Sequence, residues 1–173
     1  MNLTAIPPIN KEQSLLNVVI ETPAGSHYKY AYDIQFDIFK IKKILPLGTF
    51  FPFDFGFIPN TEGGDGDPLD VLVITDQKLF PGTLLSCRPI GVLIATQMEG
   101  KKNKQRNDRI ISVADSSINY ADVKTIRDLN KGMIEEIENF FIYYNQHDGK
   151  IFTPEKWNNA KAALKLVKQS LSK

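Results

Sequence analysis

Apolar positions recur every second residue through the first two thirds of the chain and at helical spacing in the last third. Residues 16–21 (Leu-Asn-Val-Val-Ile-Glu) predict a strand, closed by Thr22-Pro23-Ala24-Gly25-Ser26. Residues 28–33 alternate around three tyrosines, which puts Lys29 on one face with Ala31 and Asp33. A third β-rich run covers 36–45, where parity sends Lys40 and Lys42 to one face and Lys43 to the other. In 50–59, alternate Phe51, Phe53, Phe55 and Phe57 would share a strand face, with Pro52 at an edge or bulge. Core packing is their expected role, because phenylalanine has no polar group to offer. Further strands are predicted at 69–75, 84–88, 90–95 and 109–113; Pro89 separates the second from the third. The polar, basic segment 98–107 reads as an exposed loop.

The period then changes. Ile134, Ile137, Phe140, Phe141 and Tyr144 form a helical stripe, with Glu135, Glu136 and Glu138 on the polar side and Gly149 as a stop. Thr153-Pro154-Glu155 has the composition of a second helix start, followed by a stripe of Trp157, Ala160, Leu164, Val167 and Leu171. Many short strands followed by two covering helices imply a barrel or sandwich in a single domain, 1–173, with no repeat or linker.

Composition narrows the classes. The 173 residues carry 42% hydrophobic and 24% charged side chains and a net charge of +1, so bulk electrostatics point to neither nucleic acid nor membrane. One cysteine, Cys87, excludes an internal disulfide, and the absence of a Cys/His cluster argues against structural zinc. The first eight residues lack a signal-peptide pattern, and no segment reaches the roughly 18 apolar residues of a membrane span. A cytoplasmic protein is the expectation.

The candidate chemistry lies in Gly63-Gly64-Asp65-Gly66-Asp67-Pro68-Leu69-Asp70, which runs straight into an apolar strand. Three carboxylates on one turn repel one another, and a hard cation such as Mg²⁺, bound through carboxylates and substrate phosphate, relieves that repulsion. The turn is not an EF-hand loop: Leu69 and Asp70 stand where that loop needs a ligand and a glycine. Asp, Gly and Pro are also ordinary turn residues, so a solvated turn is the competing reading.

The order of several segments resembles family I soluble inorganic pyrophosphatases over nearly the whole chain. They are 18–23 (Val-Val-Ile-Glu-Thr-Pro), Lys29-Tyr30, Phe51-Pro52 with 55–58 (Phe-Gly-Phe-Ile), 65–73 (Asp-Gly-Asp-Pro-Leu-Asp-Val-Leu-Val), 87–93, and Phe140-Phe141 with Tyr144. The resemblance implies an α+β, mainly β fold: an OB-like five-stranded β-barrel with additional strands and two C-terminal helices. It also implies Mg²⁺ dependence, pyrophosphate as substrate and a homo-oligomer, usually a hexamer in bacteria. By similarity Asp65 and Asp70 hold metal, Asp67 accepts the proton of the attacking water, and Glu21 binds metal directly or through water. Lys29, Lys43, Arg109 and Tyr144 then contact phosphate.

The chain also departs from the family pattern. Ala31 stands where the family has glutamate, Lys43 where it has arginine, and Phe51 and Phe55 replace tyrosines. Two metal-binding aspartates align with Gln97 and Asn107, Arg109 replaces one lysine, and Asn145 replaces another. A small shift in the 97–109 loop would instead let Glu99 or Asp108 supply the carboxylates. The expected function is an inorganic diphosphatase of reduced efficiency. The alternatives are a silent relative that binds pyrophosphate or metal, or serves as an oligomer subunit, and an OB-type nucleic-acid binder using the Phe50 to Phe57 aromatics.

Overall fold

The computed structural model describes residues 3–10, 12–100 and 104–171. Among these residues, ten strands and two α-helices follow one another: β1 (Ile9–Asn10), β2 (Leu15–Thr22), β3 (Tyr28–Asp33), β4 (Ile38–Ile44), β5 (Asp54–Phe57), β6 (Asp70–Ile74), β7 (Leu84–Glu99), β8 (Gln105–Arg106), β9 (Arg109–Ala114), α1 (Lys131–Gln146), β10 (Lys150–Asn159) and α2 (Ala160–Gln169). Strands β2, β5, β6, β9 and β7 pair in that order, and β7 pairs back to β2, so five strands close a ring. All ring pairings are antiparallel except β6 with β9. The β3–β4 hairpin forms a separate two-stranded sheet.

The alternation in the sequence fills two cores, one on each face of the strands. Leu72 and Ile74 pack with Phe55, Ile111, Ile137, Phe141 and Phe152, whereas Val71 and Val73 pack with Leu16, Val18, Ile20, Ile110, Ala163 and Val167. Helix α1 is capped by Asn130, whose side chain accepts from the Gly132 N–H at 2.8 Å, and it buries Ile137, Phe141 and Asn145 along one stripe. Gly149 follows it at φ 68°, a conformation that favours glycine.

Four local expectations are corrected. Pro89 does not divide two strands: β7 runs through it for 16 residues, because a register shift between Pro89 and Gly91 absorbs the missing N–H. Thr153-Pro154-Glu155 opens no helix. These residues lie in β10, which pairs with β7 from Gly91 to Glu99, with a register shift between Pro154 and Lys156. The second helix starts at Ala160 instead, with Asn159 accepting from the Ala162 N–H at 3.1 Å, and Trp157 belongs to the strand before it. Partnering the open edge of β7 outweighs a local capping signal. Of the aromatic run, only Asp54–Phe57 is strand, and Phe51 precedes it while sharing its core. Met98 and Glu99 are the end of β7, and Gln105–Arg106 pair back onto it, so the expected loop is shorter.

Gly56 marks the tightest approach within the ring, where a Cβ would overlap the Val19 carbonyl on β2. Gly56→Ala should therefore lower stability by about 2 to 4 kcal/mol in urea unfolding, since backbone rather than a flexible side chain must move.

Candidate active site

The acidic turn lies at the start of β6 and is fixed by its own backbone. The Gly63 N–H donates to the Asp67 carbonyl at 2.7 Å, and the Asp67 N–H donates to Asp65 Oδ1 at 3.3 Å. Gly66 at φ 86° supplies the left-handed step. Thr61 anchors the far side: its hydroxyl accepts from the Leu69 N–H at 3.0 Å and donates to the Ile58 carbonyl at 2.6 Å. A Cβ on Gly64 would meet the Arg106 carbonyl at 2.8 Å, so the turn packs closely on β8.

A cavity of about 750 Å³ opens in front of this turn. It is lined by Glu21 from β2, Asp65, Asp67 and Asp70, Arg109 from β9, and Tyr144 and Asn145 from α1. Lys29 and Lys43 reach it from the hairpin. Nine of the ten candidate residues therefore line one space, Asn107 included. Asp108 is the exception and is corrected here. It is buried behind the cavity, its Oδ1 accepting from the Ala95 N–H at 3.1 Å and its Oδ2 from Arg106 at 2.8 Å. Gln97 and Asn107 face the cavity, and Glu99 is exposed at the end of β7.

The electrostatics are tightly paired. Arg109 is 4% exposed; its Nη1 forms an ion pair with Asp70 Oδ2 at 2.8 Å and donates to Asn107 Oδ1. Asn107 in turn donates to Gln97 Oε1 at 3.0 Å. Burial, then repulsion from Asp70 and Asp67, raises the Asp65 carboxyl above its ordinary value. Burial raises Glu21 as well, against the pull of Lys29. The Glu21 carboxylate accepts from the Tyr32 N–H at 3.0 Å. Lys29 Nζ lies 4.5 Å from the centre of the Phe55 ring, where no hydroxyl is present. Lys43 Nζ lies 3.5 Å from the Tyr144 ring centre and pairs with Asp148 at 2.5 Å. Burial raises the Tyr144 phenol, so it is a hydrogen-bond donor at neutral pH.

Sequence reasoning missed Lys42, Asp148 and Lys150, which also line the cavity. Strand parity places Lys42 and Lys43 on opposite faces, but Lys29 pairs with Lys43 and Tyr30 with Ile41, so Lys42 is the extra residue of a bulge. Asp148 and Lys150 flank Gly149, the helix stop. Their signal was the charge beside that glycine.

Among the described residues, no group of three or more acidic, histidine or cysteine side chains converges to hold a metal ion unaided. The turn fits a hard cation in the other way such ions are bound, through one or two carboxylates with water and phosphate oxygens completing the shell. The raised Asp65, pressed by Asp70 and Asp67, is the feature that such a cation would relieve.

A family model described as inorganic pyrophosphatase matches residues 18–173. An inorganic pyrophosphatase of Synechocystis is 39% identical over 169 residues, covering 98% of this chain and 96% of the relative; one of Nostoc is 35% identical over 171 residues, covering 99% and 98%. The crystal structure of inorganic pyrophosphatase from Thermus thermophilus superposes with a TM-score of 0.88 at 33% identity, covering 99% of this chain and 97% of that one. The closed five-stranded ring is thus the OB-like barrel of those structures. Matched along almost its full length in sequence and in shape, the chain belongs to the inorganic pyrophosphatase family.

Proposed function

We propose that this protein hydrolyses inorganic pyrophosphate to two phosphates with Mg²⁺ as cofactor, at reduced efficiency. The observation that carries the reading is one cavity with the acidic turn on one wall and Lys29 and Lys43 on the others. A diphosphate needs both: cations to offset its charge and a base for the water that attacks it.

Asp65 and Asp70 would hold the metal together with phosphate oxygens, and Glu21 would support them through water. When bound, the metal supplies Lewis-acid polarisation of the phosphoryl group and acidifies the attacking water. Asp67 accepts the water proton as the new P–O bond forms and the bridging P–O bond breaks. Lys29 and Lys43 offset charge on the phosphate oxygens, and the Tyr144 hydroxyl donates to the departing phosphate. Lys43 is held by Asp148 and stacked on Tyr144, which supports its use as a positioned point charge. Reduced efficiency follows from Gln97, Asn107 and Ala31, which bring no anionic ligand, and from Phe55, which brings no hydroxyl.

A second reading, binding without turnover, is favoured by one observation: Asp70 is already paired with Arg109. We also infer a homo-oligomer. Ile34, Phe36, Ile38, Ile41 and Ile44 expose an apolar face on and beside the β3–β4 hairpin. No helix among the described residues is long and apolar enough to cross a membrane, and we propose a cytoplasmic location.

Three measurements test this. Phosphate release should rise and saturate with Mg²⁺, vanish with EDTA, and fall roughly 10²- to 10⁴-fold in Asp67→Asn, the loss expected for a general base. Equal background release from both proteins would instead favour binding without turnover. Light scattering after size exclusion should give a mass that is a multiple of 19.5 kDa; a monomer would dismiss the oligomer. The third concerns Glu21, whose folded pKa lies above its unfolded one. Between those values the folded state binds more protons, so stability falls as pH rises through the window and stays lower above it. Glu21→Gln should therefore melt higher than wild type at pH 8 in metal-free buffer. The difference should close below the ordinary carboxylate pKa of about 4.3.

A further inference from the structure

Arg109 is the most enclosed cation of the cavity, and its charge is directed into the protein. Its Nη1 forms an ion pair with Asp70 Oδ2 and donates to Asn107 Oδ1 and to the main-chain carbonyl of Asp108 at 2.9 Å. Its guanidinium carbon lies 5.1 Å from the Phe141 ring centre and 5.5 Å from that of Phe152. Its Nε is buried with no hydrogen-bond partner. So held, the guanidinium is engaged by the protein on several sides. An arginine also stays charged at every pH the protein meets.

The charges of the cavity wall reinforce this. Among the described residues, Glu21, Asp65, Asp67, Asp70 and Asp148 face Lys29, Lys42, Lys43, Arg109 and Lys150, five carboxylates against five bases. The chain Gln97–Asn107–Arg109–Asp70 contains one acid, one fixed cation and two neutral amides. Before any ligand arrives, the wall carries no excess negative charge to draw in divalent cations. A diphosphate adds several negative charges at once, and its oxygens supply the ligands the wall lacks.

We propose that Arg109 is a built-in cation that neutralises Asp70 in the substrate-free protein, so that the free site binds divalent cations weakly and most of them enter with the diphosphate. The inference rests on the diphosphatase reading above and deepens it by setting the order of loading. Arg109 is then a positioning residue, acting through Asp70 rather than on the reacting atoms.

Mn²⁺ serves as the probe, followed by calorimetry and by electron paramagnetic resonance of free Mn²⁺, without substrate. Wild type should bind Mn²⁺ weakly. Arg109→Gln should bind it about tenfold tighter or more, as removing one unit charge beside a carboxylate allows. Arg109→Lys should stay close to wild type, and the gain should disappear in the Arg109→Gln/Asp70→Asn double variant. Adding imidodiphosphate, which has a P–N–P bridge, should increase Mn²⁺ uptake by wild type. Equal affinities in wild type and Arg109→Gln, or a gain that survives in the double variant, would overturn the proposal. If circular dichroism shows Arg109→Gln unfolded, the wild type alone decides: Mn²⁺ uptake that is already strong without imidodiphosphate, or that imidodiphosphate leaves unchanged, would overturn the proposal. Phosphate release is measured separately: its absence with these Mn²⁺ effects intact counts against the diphosphatase reading alone.

Discussion

Three carboxylates within six residues repel one another, and most of this site is arranged around supplying positive charge to them. The repulsion registers at Asp65, the residue pushed up by burial and then by Asp70 and Asp67. Arg109 answers it at Asp70 from inside the protein, and the hairpin lysines answer it across the cavity. Losing Arg109 would leave a charge without its partner beside an acidic turn. The cost of uncovering such a charge generally exceeds what the pair contributes when intact. The pair thus acts chiefly to make the clustered acids tolerable.

The frame that holds these charges depends on one long strand. β7 pairs with β2 through its first residues, with β9 through its middle and with β10 through its second half. It thereby closes the ring and anchors the strand from which Arg109 projects. Phe152 arrives on β10 and Phe141 on α1, and both rings lie under the guanidinium. The aromatic core and the charged site are consequently one construction: the rings that pack α1 against the strands also hold the arginine plane. Phe51 and Phe55 extend the same aromatic cluster toward Tyr144 and Lys29.

Features that depend on neighbours in sequence were legible, and features that depend on pairing were not. The acidic turn is local, since glycine, proline and aspartate fix its shape within eight residues, and the structure keeps it as written. The apolar residues of 16–21 and 109–113 are all buried, as their strand-like runs imply. Pro89 and Thr153-Pro154-Glu155 misled because a proline's local preference is weaker than the hydrogen bonds available along a long strand. Lys42 was lost for a related reason: one extra residue in a bulge resets parity, and nothing in the hairpin sequence announces it. Asp108 and Asn107 are adjacent, and only the register of β8 and β9 determines which of them faces the cavity.

That choice between neighbours has an electrostatic consequence. Asparagine matches aspartate in shape, and glutamine differs from it by one methylene, so amides at 97 and 107 change the charge of the wall more than its form. Carboxylates at both places would give the cavity seven acids against the same five bases. The difference of two charges is the charge of one divalent cation. With amides, Gln97 and Asn107 hydrogen-bond to each other and orient an oxygen toward Arg109, which like-charged carboxylates could not do without a shared proton or a metal between them. A fixed guanidinium and a neutral amide pair therefore form a self-consistent set. A mixture of one carboxylate with one amide would leave the wall negatively charged.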